Sequence, residues 1–551
     1  MTAVPVSIIP RPLSVTTGQH GVSGAVLSDG LLIAHAPALV AEARWFRQVL
    51  EAATGWVVNL AATERPGAAT IELRLGEFEV LPNGLDALIP AATRRDAYRL
   101  SSNRGRVAIT SPSGAGAFYG LQTLRQLLPD SVFRRAGRSG AIPVLEAEIL
   151  DAPRFSWRGV HLDVCRHFMP KSFILKLIDL IALHKCNVLH LHLTDDQGWR
   201  IPIERYPLLT EIGAWRRESS VGGEGEGLFD GIPHGGFYTR EDLEEIVGFA
   251  AERHVNVLPE IDMPGHMAAA IAAYPELGNT GRRLQVRTTW GVSNHILNLE
   301  EKTVRFCTDV IDEVADIFPW TCFHVGGDEC PTVEWATSPR AKQIMHEQGF
   351  TELRQLQGWF TARMAEHLAR RGRTLVGWAE ILEGGAPEGS IAMSWRGEDD
   401  AVKAARAGHR VVMAAQDWLY FDRPYSSDPA EPKGSPGATD VEKVYMYEPV
   451  SAALQPEQRH QVLGAQCQLW TEYVTTPVRA EYLYFPRLSA FAEIVWSTET
   501  AGQPKSYEEF EQRLARHLDR LAAIGVNYRP LDGPTPGQAS VWSESGGAVS
   551  E

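Results

Sequence analysis

From about residue 153 onward, the sequence alternates short β-rich runs with amphipathic helical stretches. This alternation predicts parallel strands joined by right-handed crossovers. Eight such units close into a (β/α)8 barrel, so we predict an α/β fold for this region. The predicted strands are 159–164, 187–193, 255–261, 321–326, 373–378, 390–395, 410–415 and 462–470. The predicted helices include 171–184, 239–253, 301–317, 353–371, 399–407 and 478–493, with a closing helix over 506–523.

The N-terminal part of the chain follows a different pattern. Apolar and polar residues alternate in TIELRL (70–75) and RVAITS (106–111), and an apolar stripe at helical spacing runs over 117–128. These elements predict a small α+β domain with its helices on one face of a sheet. We therefore divide the 551 residues into an N-terminal α+β domain (1–150), a barrel (151–530) and a tail predicted to be disordered (531–551).

The composition argues against several kinds of partner. The net charge is −15, whereas nucleic acids and anionic membranes attract basic surfaces. No apolar stretch is long enough to span a bilayer. The six cysteines are dispersed, which predicts free thiols in a reducing compartment. The N-terminus lacks the pattern of a signal peptide, so we expect a cytoplasmic protein, with export by another route left open.

The segment TCFHVGGDEC (321–330) carries two adjacent acids, Asp328 and Glu329. Both can serve one site only where the strand ends and turns, which Gly326 and Gly327 permit. Two carboxylates in one cleft disfavour joint ionisation, and such pairs cleave glycosidic bonds. The alternative is structural: Asp328 caps the next helix and Glu329 is solvated.

Acids and aromatic residues also follow the other predicted strands. The catalytic residues of such barrels lie at the C-terminal ends of the strands, and helix capping does not account for the tryptophans. The strand ends thus predict one active site at that face. The residues there are Asp163, Arg166, Thr194, Asp195, Asp196, Glu260, Asp262, His266, Trp378, Glu380, Trp395, Arg396, Trp418, Tyr420, Asp422, Trp470 and Glu472.

Seven segments of the predicted barrel carry most of these residues: RGVHLDVCRHF (158–168), HLHLTDDQGWR (190–200), LPEIDMPGH (258–266), HVGGDEC (324–330), MSWRG (393–397), YFD (420–422) and LWTEY (469–473). In this order they resemble glycoside hydrolase family 20, the β-N-acetylhexosaminidases. One departure is GWAE (377–380), where the family more often has an acidic residue at the position of Ala379.

The resemblance implies an exo-acting, retaining enzyme that removes terminal non-reducing β-linked GlcNAc or GalNAc. The acetamido oxygen of the substrate would attack C1 and give an oxazolinium intermediate, so no enzyme carboxylate acts as nucleophile. Glu329 would be the general acid and then the general base, and we expect it to be protonated when turnover begins. Asp328 would orient the acetamido group, and the Tyr420 hydroxyl would donate to its oxygen.

The resemblance also implies how the sugar is held. Arg166, Asp422 and Glu472 would bind hydroxyls, and Trp470 would stack under the ring. Trp378 and Trp395 would wall the acetamido pocket, and Asp262 with His266 would tune Glu329. Arg166 has a structural alternative as an ion-pair partner of Asp195 or Asp196. The predicted substrate-binding residues are Arg166, Asp195, His266, Trp378, Trp395, Asp422, Trp470 and Glu472.

Two other functions are considered. His190 and His192, followed by Asp195 and Asp196, have the spacing of a metal site in a barrel hydrolase, although packing inside the barrel also explains them. A protein that binds amino sugars without turning them over is the second. We expect no cofactor and no metal, and the expected partner is an oligosaccharide with a terminal N-acetylhexosamine. The Gly-rich insert 219–236 is predicted to shape the outer site or act as a flap.

Overall fold

The computed structural model describes residues 6–18, 23–62, 70–77, 89–135, 140–222, 225–499 and 504–534. Its N-terminal part contains the helices α1 (Val40–Thr54) and α2 (Gly114–Leu127). The strands of this part are β1 (Ser14–Thr17), β2 (Ser23–Leu27), β3 (Leu32–His35), β4 (Asn59–Ala62), β5 (Ile71–Leu75), β6 (Tyr98–Asn103), β7 (Arg106–Ser111), β8 (Ile142–Leu145) and β9 (Ala147–Asp151).

Seven of these strands form one mixed sheet in the order β1-β9-β6-β7-β5-β3-β4, and β2 pairs with β8. Ala117, Leu121 and Leu124 of α2 are buried, and contacts of α2 with β6 and β7 place the helix on the sheet. The predicted α+β domain is confirmed, because the stripe at helical spacing covers the alternating apolar face of the strands.

The barrel is also confirmed. Its eight parallel strands close in the order β10-β11-β18-β19-β20-β21-β22-β23, and the remaining short strands form antiparallel pairs in its loops. The strands are β10 (Trp157–Asp163), β11 (Val188–His192), β12 (Thr194–Asp195), β13 (Gly198–Trp199), β14 (Trp215–Arg216), β15 (Ser220–Val221), β16 (Leu228–Phe229), β17 (His234–Gly235), β18 (Asn256–Glu260), β19 (Cys322–His324), β20 (Thr374–Trp378), β21 (Ile391–Ser394), β22 (Arg410–Met413) and β23 (Val462–Cys467).

The helices follow the predicted pattern with one correction. The stretch 478–493 is two helices rather than one, because Pro486 has no N–H to donate and in a continuous helix its ring would clash with the preceding turn. The helices are α3 (Lys171–Leu183), α4 (Leu208–Glu211), α5 (Arg240–Ala251), α6 (Ala268–Ala273), α7 (Glu301–Ile317), α8 (Val333–Thr337), α9 (Pro339–Gln348), α10 (Arg354–Arg370), α11 (Glu398–Arg406), α12 (Gln416–Leu419), α13 (Val441–Met446), α14 (Pro477–Tyr484), α15 (Arg487–Trp496) and α16 (Tyr507–Ala523).

A buried ion pair joins the two parts of the chain. The Lys185 ammonium follows α3 and lies 2.8 Å from Asp151 Oδ2 at the end of β9, and both side chains are almost fully buried. The same oxygen accepts from the Tyr98 hydroxyl at 2.6 Å, and Trp496 Nε1 donates to the other oxygen at 2.9 Å. The N-terminal domain is therefore attached to the barrel through a buried polar contact.

Three other predictions can be compared with the fold. All six cysteines are free, and Cys330 is the one that is not fully buried. None of the helices in the described ranges combines the length and apolar character that crossing a bilayer requires. The tail was predicted to be disordered over 531–551, and residues 535–551 of it lie outside the described residues.

Candidate active site

The strand that carries the acid pair ends in a turn built from two glycines. After β19, Gly326 and Gly327 have φ of 64° and 94°, in the left-handed region that favours glycine. A Cβ at Gly326 would lie 1.8 Å from Asp262 Oδ1. That carboxylate oxygen also accepts from the Gly327 N–H at 3.0 Å. The turn therefore requires glycine at 326, and it brings the two acids over the open end of the barrel.

The two acids meet at one imidazole. His266 Nε2 lies 3.7 Å from Asp328 Oδ2 and 3.6 Å from Glu329 Oε2. Glu329 and His266 both have left-handed backbone, with φ of 44° and 52°. This conformation costs about 1–2 kcal/mol for a residue with a Cβ, and such strain concentrates at functional sites.

The two acids of the pair have opposite pKa shifts. Burial raises the pKa of Asp328, whereas the His266 imidazole lowers the pKa of Glu329, whose side chain is 41% exposed. Burial alone would lower the pKa of His266, but the carboxylates of Asp195 and Asp328 raise it well above its usual value. His266 thus has a larger influence on the pKa of Glu329 than burial has, and the expected protonation of Glu329 when turnover begins stays a prediction.

The acids open into a cavity of about 330 Å³ at the C-terminal end of the barrel strands. Asp328 Oδ1, Asp422 Oδ1 and Glu472 Oε2 are buried at this cavity and have no hydrogen-bond partner within the described residues. The walls thus present three acceptors that a ligand with N–H and O–H groups can satisfy. The lining residues are Arg166, Asp328, Glu329, Trp378, Trp395, Gln416, Tyr420, Asp422, Arg423, Ser435, Pro436, Trp470 and Glu472.

Aromatic rings form the apolar part of the wall. Trp395 and Tyr420 are stacked with ring centroids 6.4 Å apart, and the Trp378 and Trp470 rings are 5.9 Å apart. The indole N–H of Trp378 donates to Glu260 Oε1 at 2.8 Å, and that of Trp395 donates to Glu380 Oε2 at 3.1 Å. The indole N–H groups of Trp378 and Trp395 therefore already have partners within the protein.

Arg166 is surrounded by carboxylates. Its guanidinium lies 3.2 Å from Asp163, 2.9 Å from Asp195 and 4.0 Å from Glu472, and its Nε donates to Gln197 at 3.0 Å. Burial raises the pKa of Glu472 to about 7. Arg166 thus makes the ion pair with Asp195 that we considered as an alternative, and it also lines the cavity.

Comparison with known proteins identifies the family. The model for the catalytic domain of glycosyl hydrolase family 20 matches residues 155–499, and the model for domain 2 of that family matches residues 6–152. The chain belongs to glycosyl hydrolase family 20. The two matches correspond to the barrel and to the N-terminal sheet domain.

Individual family 20 proteins resemble the chain over most of its length. Beta-hexosaminidase from Porphyromonas gingivalis is 38% identical, over 97% of this chain but 66% of that protein, so the chain spans just under two thirds of it. Beta-N-acetylhexosaminidase from Cellulomonas fimi is 32% identical, over 97% of this chain and 98% of that protein. The Vibrio harveyi GH20 exo beta-N-acetylglucosaminidase, solved in complex with N-acetylglucosamine, is 29% identical, with a TM-score of 0.81 over 96% of this chain and 80% of that one.

Nine of the predicted site residues line the family 20 cavity together, and three lie behind it. Asp195 and His266, which we predicted to bind substrate, are 1% and 4% exposed and contact each other, with His266 Nδ1 3.3 Å from Asp195 Oδ1. Asp262 holds the glycine turn, and burial together with the Asp328 charge raises its pKa. Trp418 lies outside the cavity and packs on Tyr447, with ring centroids 5.6 Å apart.

Four lining residues of the family 20 site were not predicted. Gln416, Arg423, Ser435 and Pro436 lie on α12 and on the loop after it. The Ser435 N–H donates to the carbonyl of Asp422 at 3.1 Å, which folds the loop back over the cavity. In the sequence, only the neighbouring YFD segment (420–422) indicated this part of the site. The loop itself is irregular, so it has no hydrophobic periodicity from which its path can be inferred.

The insert 219–236, apart from residues 223–224, lies beside this loop. It contains the β15–β16 hairpin, and β17 pairs with β14. Lys433 Nζ lies 3.0 Å from Glu226 Oε1, which links the insert to the loop that carries Ser435 and Pro436. The predicted role as a flap remains a prediction.

Four groups of described residues have ligand atoms close enough for a metal ion, and each includes His161, His192 or His266. In the barrel interior, Gln466 donates to His190 Nδ1 at 2.9 Å, so the other ring nitrogen of His190 carries the hydrogen. Both nitrogens of His192 are within 2.7 Å of carboxylates. Neither histidine of the predicted metal pair therefore offers a free lone pair in this arrangement.

Proposed function

We propose that this family 20 protein is an exo-acting, retaining β-N-acetylhexosaminidase that works by substrate-assisted catalysis. The observation that carries the proposal is the convergence of Asp328 and Glu329 on His266 at one side of a small, aromatic-walled cavity. A carboxylate nucleophile would have to face the general acid across the anomeric carbon. Two acids on one imidazole fit the two neighbouring parts of one sugar, its acetamido group and its glycosidic oxygen.

The roles follow from the contacts. Asp328 has a buried oxygen without a partner among the described residues, suited to accept the acetamido N–H and to stabilise the positive charge of the oxazolinium. The Tyr420 hydroxyl donates to the acetamido oxygen and directs it to C1. Glu329 protonates the leaving oxygen and then activates water on the same face.

The lowered pKa of Glu329 has to be reconciled with its role as an acid. A glycoside over the exposed Glu329 carboxyl removes it from water, which raises its pKa. The imidazolium of His266 lies 3.6 Å away and can return a proton to it. Glu329 therefore gains its proton when the substrate binds, with His266 as the proton donor.

The cavity supports an exo mode and a monosaccharide end group. At about 330 Å³ it is near the lower limit for small-molecule sites, so it accommodates one sugar rather than a chain. The Vibrio harveyi structure contains N-acetylglucosamine. We propose terminal GlcNAc and GalNAc of oligosaccharides, including chitin fragments, as substrates, because the buried acceptors of Asp422 and Glu472 can pair with either arrangement of hydroxyls.

Hydrolysis of 4-nitrophenyl glycosides tests the proposal. The β-N-acetylglucosaminide should be cleaved with retained configuration, and the β-glucoside should be hydrolysed at least about 100-fold more slowly. Equal rates on the two would refute substrate assistance. Binding without hydrolysis would favour a sugar-binding protein, and activity lost in EDTA and restored by zinc would favour a metal-dependent hydrolase.

Variants separate the two acids. Glu329→Ala should lose most activity on poor leaving groups and recover part of it with azide, whereas Asp328→Asn should lower kcat about 100-fold or more and change KM less. Glu334→Gln is the control, since Glu334 pairs with His295 beyond the cavity. A Glu334 variant as impaired as the other two would mean that the losses reflect misfolding.

A further inference from the structure

A carboxylate lies at the centre of the barrel, below the site. Glu260 is fully buried and accepts hydrogen bonds from His192 Nδ1 at 2.6 Å and from Trp378 Nε1 at 2.8 Å. His190 Nε2 and His324 Nδ1 are 3.2 and 2.9 Å from its oxygens. A buried charge persists only when it is paired and hydrogen-bonded, and the reaction described above makes no use of this one.

His192 connects this carboxylate to the site. Its Nδ1 is 2.6 Å from Glu260 and its Nε2 is 2.7 Å from Asp195 Oδ2. Carboxylates only accept, so both ring nitrogens must carry hydrogen, and the ring is an imidazolium. Burial alone would lower the pKa of His192, but the two carboxylates raise it well above its usual value.

The next contact reaches the acid pair. Asp195 Oδ2 is shared by His192 and Arg166, at 2.7 and 2.9 Å, while Oδ1 faces His266 Nδ1 at 3.3 Å. His266 Nε2 in turn faces Glu329 at 3.6 Å. Charged groups of alternating sign thus run without a gap from the centre of the barrel to the proposed general acid.

We propose that Glu260 is a positioning residue for the hydrolysis, which it serves through two branches. One branch fixes the Trp378 wall by its indole N–H, and the other holds His192 charged against Asp195 and so sets His266 opposite Glu329. The inference rests on the proposed function. Glu260 itself does not line the cavity, so its effect on the reaction passes through these two side chains.

The charge of His192 is the quantity that an experiment can change. Replacing His192 by glutamine removes one positive charge near the site, which raises the pKa of Glu329. The alkaline limb of the kcat/KM profile should then move to higher pH. The titratable and charged groups that face His192 from the neighbouring strands and loops are His161, Asp163, Cys165, Arg166, His190, Asp195, Glu260, Asp262 and His324.

The test compares matched variants on the chromogenic β-N-acetylglucosaminide from pH 4 to 10. His192→Gln should lower kcat by about 10- to 100-fold and move the alkaline limb up by about half a pH unit or more. Glu260→Gln should do the same to a smaller extent and also raise KM, because the Trp378 wall is released. Trp378→Phe should raise KM and leave the limb in place.

His190→Gln is the matched control. His190 also faces Glu260, but burial lowers its pKa to about 4, so the same substitution removes no charge at neutral pH. Its alkaline limb should stay at the wild-type position. If His190→Gln moves the limb as far as His192→Gln, or if His192→Gln leaves it unmoved, the inference is overturned.

Two further outcomes are distinguishable. A wild-type protein that does not hydrolyse the substrate refutes the proposed function. An active wild type with an unchanged His192→Gln profile refutes only the role of Glu260. If Glu260→Gln is not recovered folded, as judged by circular dichroism, the His192 and Trp378 variants still test one branch each.

Discussion

The buried ion pair between the two domains gives an asymmetric prediction for stability. Asp151 receives four hydrogen bonds besides that of Lys185: from Tyr98, from Trp496 and from two backbone N–H groups. Lys185 Nζ has fewer hydrogen-bond partners, Asp151 and the Tyr98 hydroxyl at 2.9 Å, and it lies 4.5 Å from the centroid of the Trp496 ring. Replacing Lys185 leaves a carboxylate that still has four hydrogen-bond donors, whereas removing the charge of Asp151 leaves an ammonium with few partners.

Asp151→Asn leaves a buried ammonium without a counter-charge, so we expect it to cost about 3–5 kcal/mol. Lys185→Met leaves Asp151 with its four other donors, so the loss is one charge-assisted hydrogen bond, about 1.5–3 kcal/mol. Burial lowers the pKa of Lys185. In Asp151→Asn the lysine can therefore lose its proton, which reduces the loss of free energy of unfolding. We expect Asp151→Asn to be the more harmful substitution by about 2 kcal/mol.

Urea unfolding at pH 7, followed by tryptophan fluorescence and far-UV circular dichroism, measures this difference. Glu366→Gln is the control, because its ion pair with Arg370 is exposed and should contribute less than about 1 kcal/mol. A Lys185→Met variant that is as unstable as Asp151→Asn would contradict the reasoning, since the number of remaining donors would then not matter.

Three further predictions concern single residues. Gly326→Ala should abolish the folded site, because its Cβ would collide with Asp262; activity and thermal unfolding check this. Burial lowers the pKa of His184, which lies beside His517, to about 4. The unfolded chain binds a proton at this histidine near pH 6.5, so about 3 kcal/mol of stability is lost as the pH falls from 6.5 to 4. His184→Leu should therefore flatten this part of the stability–pH curve. Tyr420→Phe should lower kcat about 100- to 1,000-fold with little change in KM, and an unchanged kcat would remove Tyr420 from the mechanism.

The sequence predicted the barrel because its strands are compact β-rich runs and most of them are followed by a helical pattern, although no helix was predicted after 373–378 or after 410–415. The acid pair and the aromatic residues were located for the same reason, since strand ends fix their position. A single helix was predicted over 478–493 because apolar residues continue at helical spacing across Pro486. The stretch forms two helices because proline interrupts the helical backbone. The cytoplasmic location stays a prediction, because the fold does not bear on it.

The sequence could not predict which residues far apart along the chain are in contact, or how such contacts shift the pKa of an acid. Asp195 and His266 are 71 residues apart, and no spacing rule indicates that they touch. The lowered pKa of Glu329 depends on a contact of this kind. Ser435 and Pro436 reach the cavity through an irregular loop, whose path is set by hydrogen bonds to backbone groups and not by hydrophobic periodicity.

The polar centre of the barrel also restricts how this sequence can diverge. Glu260, His192 and Asp195 complete one another's hydrogen bonds, so a change in one leaves its neighbours with unmet donors or charge. We expect these positions to be replaced together or not at all. The described part of the insert 219–236 is linked to the loop that carries Ser435 by the Lys433–Glu226 ion pair, whose side chains are about half exposed, so a substitution there leaves no buried charge. Substitutions that change the glycan specificity would then occur in these loops around the cavity, while Glu260, His192 and Asp195 would be retained together.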